Sequence, residues 1–125
     1  MVNVDVVNRS GIAFDADPAV ALAREVLSAE GIEDGDLGLL LVAPDEIREL
    51  KREHLGVDEP TDALAFPIDR RELLPRGIPR QLGDVVMCPE VVGKEWRGPL
   101  VHAVLHLIGY DHGEPMEARE RAHAQ

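Results

Sequence analysis

The segment from Leu100 to His112 places three histidines at spacings of four and six residues. His102 and His106 are four residues apart, so on a helix they share one face and can direct two imidazoles at one point. Gly109 tolerates a positive φ and ends such a helix, after which His112 can return to the same point. Three neutral imidazoles with one open position are typical of a catalytic zinc site. The segment therefore constrains the fold to a helix and a turn around one metal ion.

The alternative is a helix whose histidines only pack or face solvent. Three of the five histidines fall within this short segment, which favours the metal site. A zinc ion held by three histidines keeps a water ligand and lowers the pKa of that water to about 7. The metzincin proteases share this spacing, but they carry a glutamate general base directly after the first histidine. Ala103 stands at that position and cannot accept a proton, so the pattern indicates a metal site and argues against a protease.

The length of 125 residues predicts one domain, 1–125, with a core of its own. Aromatic residues make up only 3% of the chain, so Val, Leu, Ile and Ala must fill that core. The single cysteine, Cys88, excludes an internal disulfide and fits a reducing compartment. Because it lies in an apolar run, we expect a buried, inert thiol.

No apolar run approaches the length of a membrane span, and no signal peptide opens the chain, so we expect a cytoplasmic protein without a membrane partner. The net charge of −11 argues against indiscriminate binding to nucleic acid, because phosphate neutralisation needs clustered Lys and Arg. Residues 70–80 are a local exception that holds Arg70, Arg71, Arg76 and Arg80 against Glu72. A solvated loop is the default interpretation of that cluster.

Strands and helices are predicted without strict alternation, which favours the α+β class. Alternating or continuous apolar runs predict strands at Val2 to Val6, Leu37 to Ala43, Thr61 to Phe66 and Gly83 to Cys88. Proline and glycine punctuation predicts helices from Asp17 (as N-cap, before Pro18) to Gly31, from Pro44 to Gly56, from Pro89 to about Arg97, over the histidine segment, and from Glu114 to Ala124. Residues 67–81 are predicted to form a loop.

Three segments resemble the bacterial YbeY family, metal-dependent endoribonucleases that act in ribosomal RNA maturation. The family segment H-G-x-L-H-L-x-G-Y-D-H matches His102 to His112 at every fixed position but one. The segment P-T-D-V-L-S-F-P is similar to Pro60 to Pro67, and L-G-D-I-x-I-C is similar to Leu82 to Cys88. The three occur in the family order and cover roughly a third of the chain.

The resemblance implies an α+β domain with a small mixed sheet of about four strands and one zinc ion per chain, held by His102, His106 and His112. It also implies cleavage of single-stranded RNA, processing near the 3′ end of 16S ribosomal RNA, and ribosome quality control. Candidate partners are ribosomal RNA and a ribosomal protein or ribosome-associated GTPase, with no DNA. Asp111 is a candidate either for orienting a ligand imidazole or for capping the turn. Asp62 and Asp84 either line the cleft or serve as turn residues.

The chain departs from the family at several positions. Leu55 stands where many members carry an arginine that is a candidate phosphate contact, and Arg52, one helical turn earlier, is a candidate substitute. Ala65 and Ala103 replace a family serine and glycine. Pro99 lies three residues before His102, which predicts a short lead-in to the histidine helix with little support for the first ligand.

Three functions are compatible with these residues. The first is a zinc-dependent endoribonuclease, with Asp111 and Arg52 as further candidate catalytic residues. The second is a ribosome-associated binding factor whose zinc is mainly structural, since an acidic chain suits a basic protein partner better than naked RNA. The third is hydrolysis of another substrate by the same zinc-bound water.

Overall fold

The structure is a computed structural model that describes residues 1–56, 62–69, 74–110, 118–120 and 123, with residue 55 described by its backbone alone. Its strands and helices follow in the order β1 (Val2–Asn8), α1 (Asp17–Ala29), β2 (Gly35–Leu41), α2 (Pro44–Leu55), β3 (Ala63–Pro67), β4 (Gln81–Met87), α3 (Pro89–Val92) and α4 (Arg97–Leu107). Residues 118–120 and 123 are also helical. No helix in these ranges is long and apolar enough to cross a membrane.

The four strands form one mixed sheet in the order β1-β2-β4-β3. β2 pairs in parallel with β1 on one side and with β4 on the other. The parallel β1–β2 pair needs a crossover connection, and α1 supplies it. β3 pairs antiparallel with β4. The predicted α+β class and four-stranded mixed sheet are therefore confirmed.

One face of the sheet, which we call the first face, is packed against α1 and α4. Leu37, Leu39 and Leu41 alternate along β2 and are at most 2% exposed on this side. They belong to the same buried cluster as Leu27 of α1 and Leu105 of α4, both fully buried. This face carries most of the core and fixes the position of α4.

The other face, which we call the second face, carries a smaller apolar cluster under α2. Ile47 and Val86 are buried here together with the free thiol of Cys88, whose burial was expected from its apolar run. Leu40 and Leu50 are only partly buried against this cluster. α2 therefore covers the second face less completely than α1 and α4 cover the first.

Two predicted helix boundaries are wrong. Asp17 is not the N-cap of α1: Ala16 holds that position, and the Asp15 carboxylate accepts the Asp17 backbone N–H at 3.2 Å. The helix predicted from Pro89 to about Arg97 stops at Val92, because Gly93 adopts φ 53° and ψ −127°, outside the helical region. α4 then begins as a separate helix at Arg97.

Candidate metal centre

The predicted ligands His102 and His106 occupy the open stripe of α4, whose other side chains are buried from Leu100 onward. Over Leu100–Leu107 all other side chains of α4 are buried, because the helix is apolar almost all round. His102, His106 and Pro99 are half-buried, and their spacing of three and four residues places them on one stripe. The sequence thus folds locally so that, over Leu100–Leu107, the two imidazoles are the polar groups that α4 presents.

The first turn of α4 supports His102, contrary to the expectation from Pro99. The helix begins at Arg97, so Pro99 lies within the first turn, where a missing N–H costs nothing because the first four donors have no intrahelical partner. The Leu100 N–H already donates to the Trp96 carbonyl at 3.1 Å. His102 therefore lies in the second turn of a formed helix.

The imidazoles of His102 and His106 are close neighbours. Their ring centroids are 4.8 Å apart and the rings are inclined by 74°. Nδ1 of His102 lies 3.2 Å from Oε1 of Glu120, which reaches it from the C-terminal helical segment. A hydrogen on Nδ1 that points at this carboxylate leaves the lone pair of the ring on Nε2, the arrangement found in carboxylate–histidine–zinc triads.

The two described imidazoles are donors of a kind that zinc binds. Imidazole nitrogens are ordinary zinc ligands, and half-exposed rings on one stripe can be reached from solvent. His106 lies in the last turn of α4, where the partial negative charge of the helix C-terminus favours a cation. Within the described ranges, no group of three or more His, Cys, Asp or Glu is gathered for a metal. His112 and Asp111 lie outside the described residues, so the third ligand and the role of Asp111 stay predictions.

The chain leaves α4 through a tight turn, as the sequence predicted. Gly109 adopts φ +102° and its N–H donates to the His106 carbonyl at 3.1 Å. The Tyr110 N–H then donates to the Leu105 carbonyl at 3.1 Å. A positive φ is easily adopted only by glycine, so Gly109 decides the direction in which the chain continues toward residue 111.

A buried carboxylate, Glu30, meets the chain where it leaves the histidine helix. Its side chain is 3% exposed, and the Tyr110 hydroxyl donates to Oε1 at 2.7 Å. Arg119 donates to Oε2, and Nε2 of His123 lies 3.5 Å from the same oxygen. Burial by itself raises the pKa of Glu30, but the hydrogen bonds from Tyr110 and Arg119 and the charge of Arg119 hold that pKa below its usual value. Glu30 is therefore an anion at neutral pH.

The other predicted site residues lie away from the open stripe of α4 or outside the described residues. Arg52 forms an ion pair with Glu49 on α2, which packs on the second face, whereas α4 packs on the first. Arg76 is exposed and Arg80 is half-buried, while Arg70 and Arg71 are outside the described residues. The phosphate-contact role of these arginines stays a prediction.

The two aspartates of the family-like segments behave differently. The Asp62 carboxylate accepts the backbone N–H of Ala63 at 2.7 Å, which is a local turn contact at the start of β3. Asp84 projects from β4 onto the second face. There it lies across Gly38 of the neighbouring strand, so close that a Cβ at Gly38 would come within 2.1 Å of its Oδ1.

Asp84 belongs to a groove on the second face of about 590 Å³. Leu40, Val86 and Phe66 contribute apolar surface to it. Three carboxylates also line it, from Asp5 on β1, Asp36 on β2 and Asp84 on β4. His54 closes one side, with its ring centroid 4.9 Å from that of Phe66. The groove is acidic and apolar, and it lies across the sheet from α4.

Sequence reasoning missed Glu30 and Glu120. Glu30 is the C-cap residue of α1 and precedes Gly31, which has φ +84°. A carboxylate at a helix C-terminus faces the negative end of the macrodipole, so its presence there was a signal that it has a specific partner. No local pattern could have found Glu120, because its contact with His102 depends on how the C-terminal segment packs.

Comparison with known proteins agrees with the motifs. The family model Endoribonuclease YbeY matches residues 7–125. Salinispora tropica has a protein named Endoribonuclease YbeY that is 38% identical over 138 residues, which cover 94% of this chain and 88% of the relative. A protein of the same name from Halorhodospira halophila is 39% identical over 87% of this chain and 80% of its own length. A solution structure of a Thermotoga maritima protein has a TM-score of 0.60 and 25% identity over 98% of this chain and 86% of that one. This chain therefore belongs to the endoribonuclease YbeY family.

Proposed function

We propose that this chain is a zinc-dependent endoribonuclease that cleaves single-stranded RNA in the maturation of small-subunit ribosomal RNA and in ribosome quality control. The observation that carries the proposal is the pair His102 and His106, half-exposed and 4.8 Å apart on the open stripe of α4. Family membership supplies the substrate class, because the curated relatives are named endoribonucleases. A cytoplasmic location follows from that substrate.

In this proposal His102, His106 and His112 hold one zinc ion. Zinc bound by three neutral imidazoles supplies a hydroxide at neutral pH or polarises a phosphoryl oxygen. The Glu120 carboxylate, 3.2 Å from Nδ1 of His102, keeps that nitrogen protonated and turns Nε2 toward the metal. The half-exposure of both imidazoles leaves room for an RNA strand to approach α4 from solvent.

The test measures metal and cleavage on the same preparations. Mass spectrometry should find about one zinc per chain in the wild type and little in His106→Ala. His54→Ala is the matched control, because it removes an imidazole from the second face and should keep its zinc. Cleavage of a single-stranded RNA oligonucleotide should stop with chelator and return with added zinc. Undiminished cleavage by metal-free protein would overturn the proposal.

A second candidate function is a binding factor for a basic ribosomal protein or a ribosome-associated GTPase. The observation that favours it is the groove on the second face, where Asp5, Asp36 and Asp84 surround apolar surface. Such a surface repels phosphate and suits a segment rich in Lys and Arg. It lies across the sheet from α4, so binding and cleavage can coexist in one molecule.

Separating the two functions requires variants on opposite faces. His106→Ala should lose cleavage, while Asp36→Asn combined with Asp84→Asn should keep zinc and cleavage of a short oligonucleotide. Complementation of a strain that lacks its own copy then decides which function matters for ribosome assembly. Restoration of ribosome maturation by His106→Ala would favour the binding factor and count against the nuclease.

A further inference from the structure

The buried carboxylate of Glu30 is held rigidly by the end of α1. Its backbone N–H donates to the Val26 carbonyl at 3.0 Å and to the Leu27 carbonyl at 3.1 Å. The Ile32 N–H also donates to Leu27, at 2.8 Å, and closes the turn that follows. Because Val26 and Leu27 are fully buried, the backbone that carries Glu30 is anchored in the core.

Burying a carboxylate at this place is unfavourable unless other groups compensate it. Taking the charge out of water and placing it at the negative end of a helix both disfavour it. The compensating groups are Tyr110 and Arg119, which are 80 and 89 residues away along the chain. A charged hydrogen bond over such a separation ties two parts of the molecule that local structure does not connect.

The two residues that donate to Glu30 lie, along the chain, on either side of the third predicted ligand. Tyr110 is two residues before His112, and Arg119 is seven residues after it. Arg119 is also the neighbour of Glu120, whose carboxylate lies 3.2 Å from Nδ1 of His102. One carboxylate thus holds Tyr110, at the end of the histidine helix, and Arg119, beside the residue that contacts His102.

We infer that Glu30 is a positioning residue for the metal centre, which acts by holding Tyr110 and Arg119 so that the neighbouring Glu120 carboxylate stays beside Nδ1 of His102. The inference rests on the proposed zinc site. Fixing the Glu120 carboxylate beside His102 before metal binds lowers the conformational entropy that binding must otherwise remove. Glu30 therefore raises zinc affinity without touching the metal.

A purely structural tie makes a different prediction. If Glu30 only joined α1 to the C-terminal helix, its loss would destabilise the zinc-free and zinc-loaded proteins equally, and zinc affinity would not change. If Glu30 positions the metal centre, its loss destabilises the zinc-loaded protein more than the zinc-free protein. The difference between the two losses is the loss of zinc affinity. Zinc affinity is therefore the decisive readout, with the melting temperature of the zinc-free protein beside it.

The experiment compares Glu30→Gln with Glu25→Gln in the full chain. Glu25 is exposed on the same helix, so the control makes the same chemical change without the contacts of Glu30. Competition with a chromogenic chelator should show zinc affinity lowered about tenfold in Glu30→Gln, as for other outer groups that hold ligands, and unchanged in Glu25→Gln. Tyr110→Phe removes one hydroxyl and tests the same tie if Glu30→Gln folds poorly.

The combination of Glu30→Gln with Tyr110→Phe should weaken zinc binding by less than the product of the single effects, because both changes act on the same contact between Tyr110 and Glu30. Unchanged zinc affinity in Glu30→Gln and Tyr110→Phe, with a lowered melting temperature, would reduce Glu30 to a structural tie and overturn the inference. Failure of the proposed zinc site is visible separately, as a wild type whose zinc affinity does not depend on His106.

Discussion

The two faces of the sheet differ in how completely they are packed, although the same strands supply both. On the first face Leu39 and Leu41 are at most 2% exposed under α1 and α4, while on the second face Leu40 between them is only half-buried. The first face presents its chemistry on a helix locked into the core, and the second presents a partly open groove. A rigid support suits metal ligands, whose positions must be exact within fractions of an ångström, whereas an open groove suits a partner that adapts.

The largest expected effect on the free energy of unfolding comes from adding a methyl group at Gly83 of β4, on the first face. Gly83 has φ +125°, and a Cβ there would lie 2.1 Å from the Phe66 carbonyl oxygen and 3.1 Å from Leu107. A backbone atom cannot move aside, so Gly83→Ala should lower the free energy of unfolding on the order of 4 kcal/mol. Urea unfolding of the wild type and of Gly83→Ala measures this loss.

Gly38→Ala is the matched control on the second face. Its Cβ would meet Oδ1 of Asp84 at 2.1 Å, but that oxygen ends an exposed side chain that can turn away. We expect Gly38→Ala to lower the free energy of unfolding by less than about 1 kcal/mol. Equal losses at Gly38 and Gly83 would contradict the view that the backbone around Gly83 cannot yield whereas the Asp84 side chain can.

The next effect compares leucines on the two sets of helices. Leu27 of α1 is fully buried against the first face, so Leu27→Ala should cost about 3 kcal/mol. Leu50 of α2 is half-buried on the second face, and Leu50→Ala should cost about 1 kcal/mol. Both substitutions are within helices, so the change in helix propensity cancels. Unfolding curves that give the larger loss at Leu50 would reverse the comparison.

A smaller effect is the pH dependence of the contribution that the Glu30 carboxylate makes to the free energy of unfolding. Because the folded pKa of Glu30 is below its usual value, its contribution is fully present above the unfolded pKa of about 4.5 and is lost as pH falls through the lowered folded value. The difference in free energy of unfolding between wild type and Glu30→Gln should therefore shrink on acidification below about pH 4.5. A difference that stays constant across this range would mean that the charge of Glu30 contributes nothing.

The smallest effect concerns Arg52 on the second-face helix. Its pair with Glu49 is about half exposed on both sides, so Arg52→Ala should change stability by less than about 1 kcal/mol. If Arg52 contacts phosphate, KM for RNA should rise about threefold with kcat retained. Lys94→Ala, which removes one exposed charge after α3, is the control. An unchanged KM in Arg52→Ala would remove Arg52 from the RNA path.

Much of the fold could be predicted because the relevant signals are local. The alternation of Val2, Val4 and Val6 predicted β1, and Pro44 with Gly56 bracketed α2 at its observed ends. The two errors at helix boundaries have local causes as well. They depend on which carboxylate reaches the first N–H groups of α1 and on the conformation of Gly93.

The candidate site was predictable only as far as one helical face. The spacing of His102 and His106 was sufficient to pair them, because four residues span one turn. Glu120 and Glu30 could not be found in this way. Their contacts join residues 18 and 80 or more positions apart, and such contacts depend on how separate elements pack.

The sequence by itself determined the histidine pair, the turn at Gly109 and the YbeY family, because each depends on residues close together in the chain. Only the tertiary structure decided the strand order β1-β2-β4-β3, the groove beside Asp84 and the anchoring of Tyr110 by Glu30. The physical reason is that periodicity and turn chemistry act over a few residues. The partner of a buried charge is fixed by the packing of helices on the two faces of the sheet.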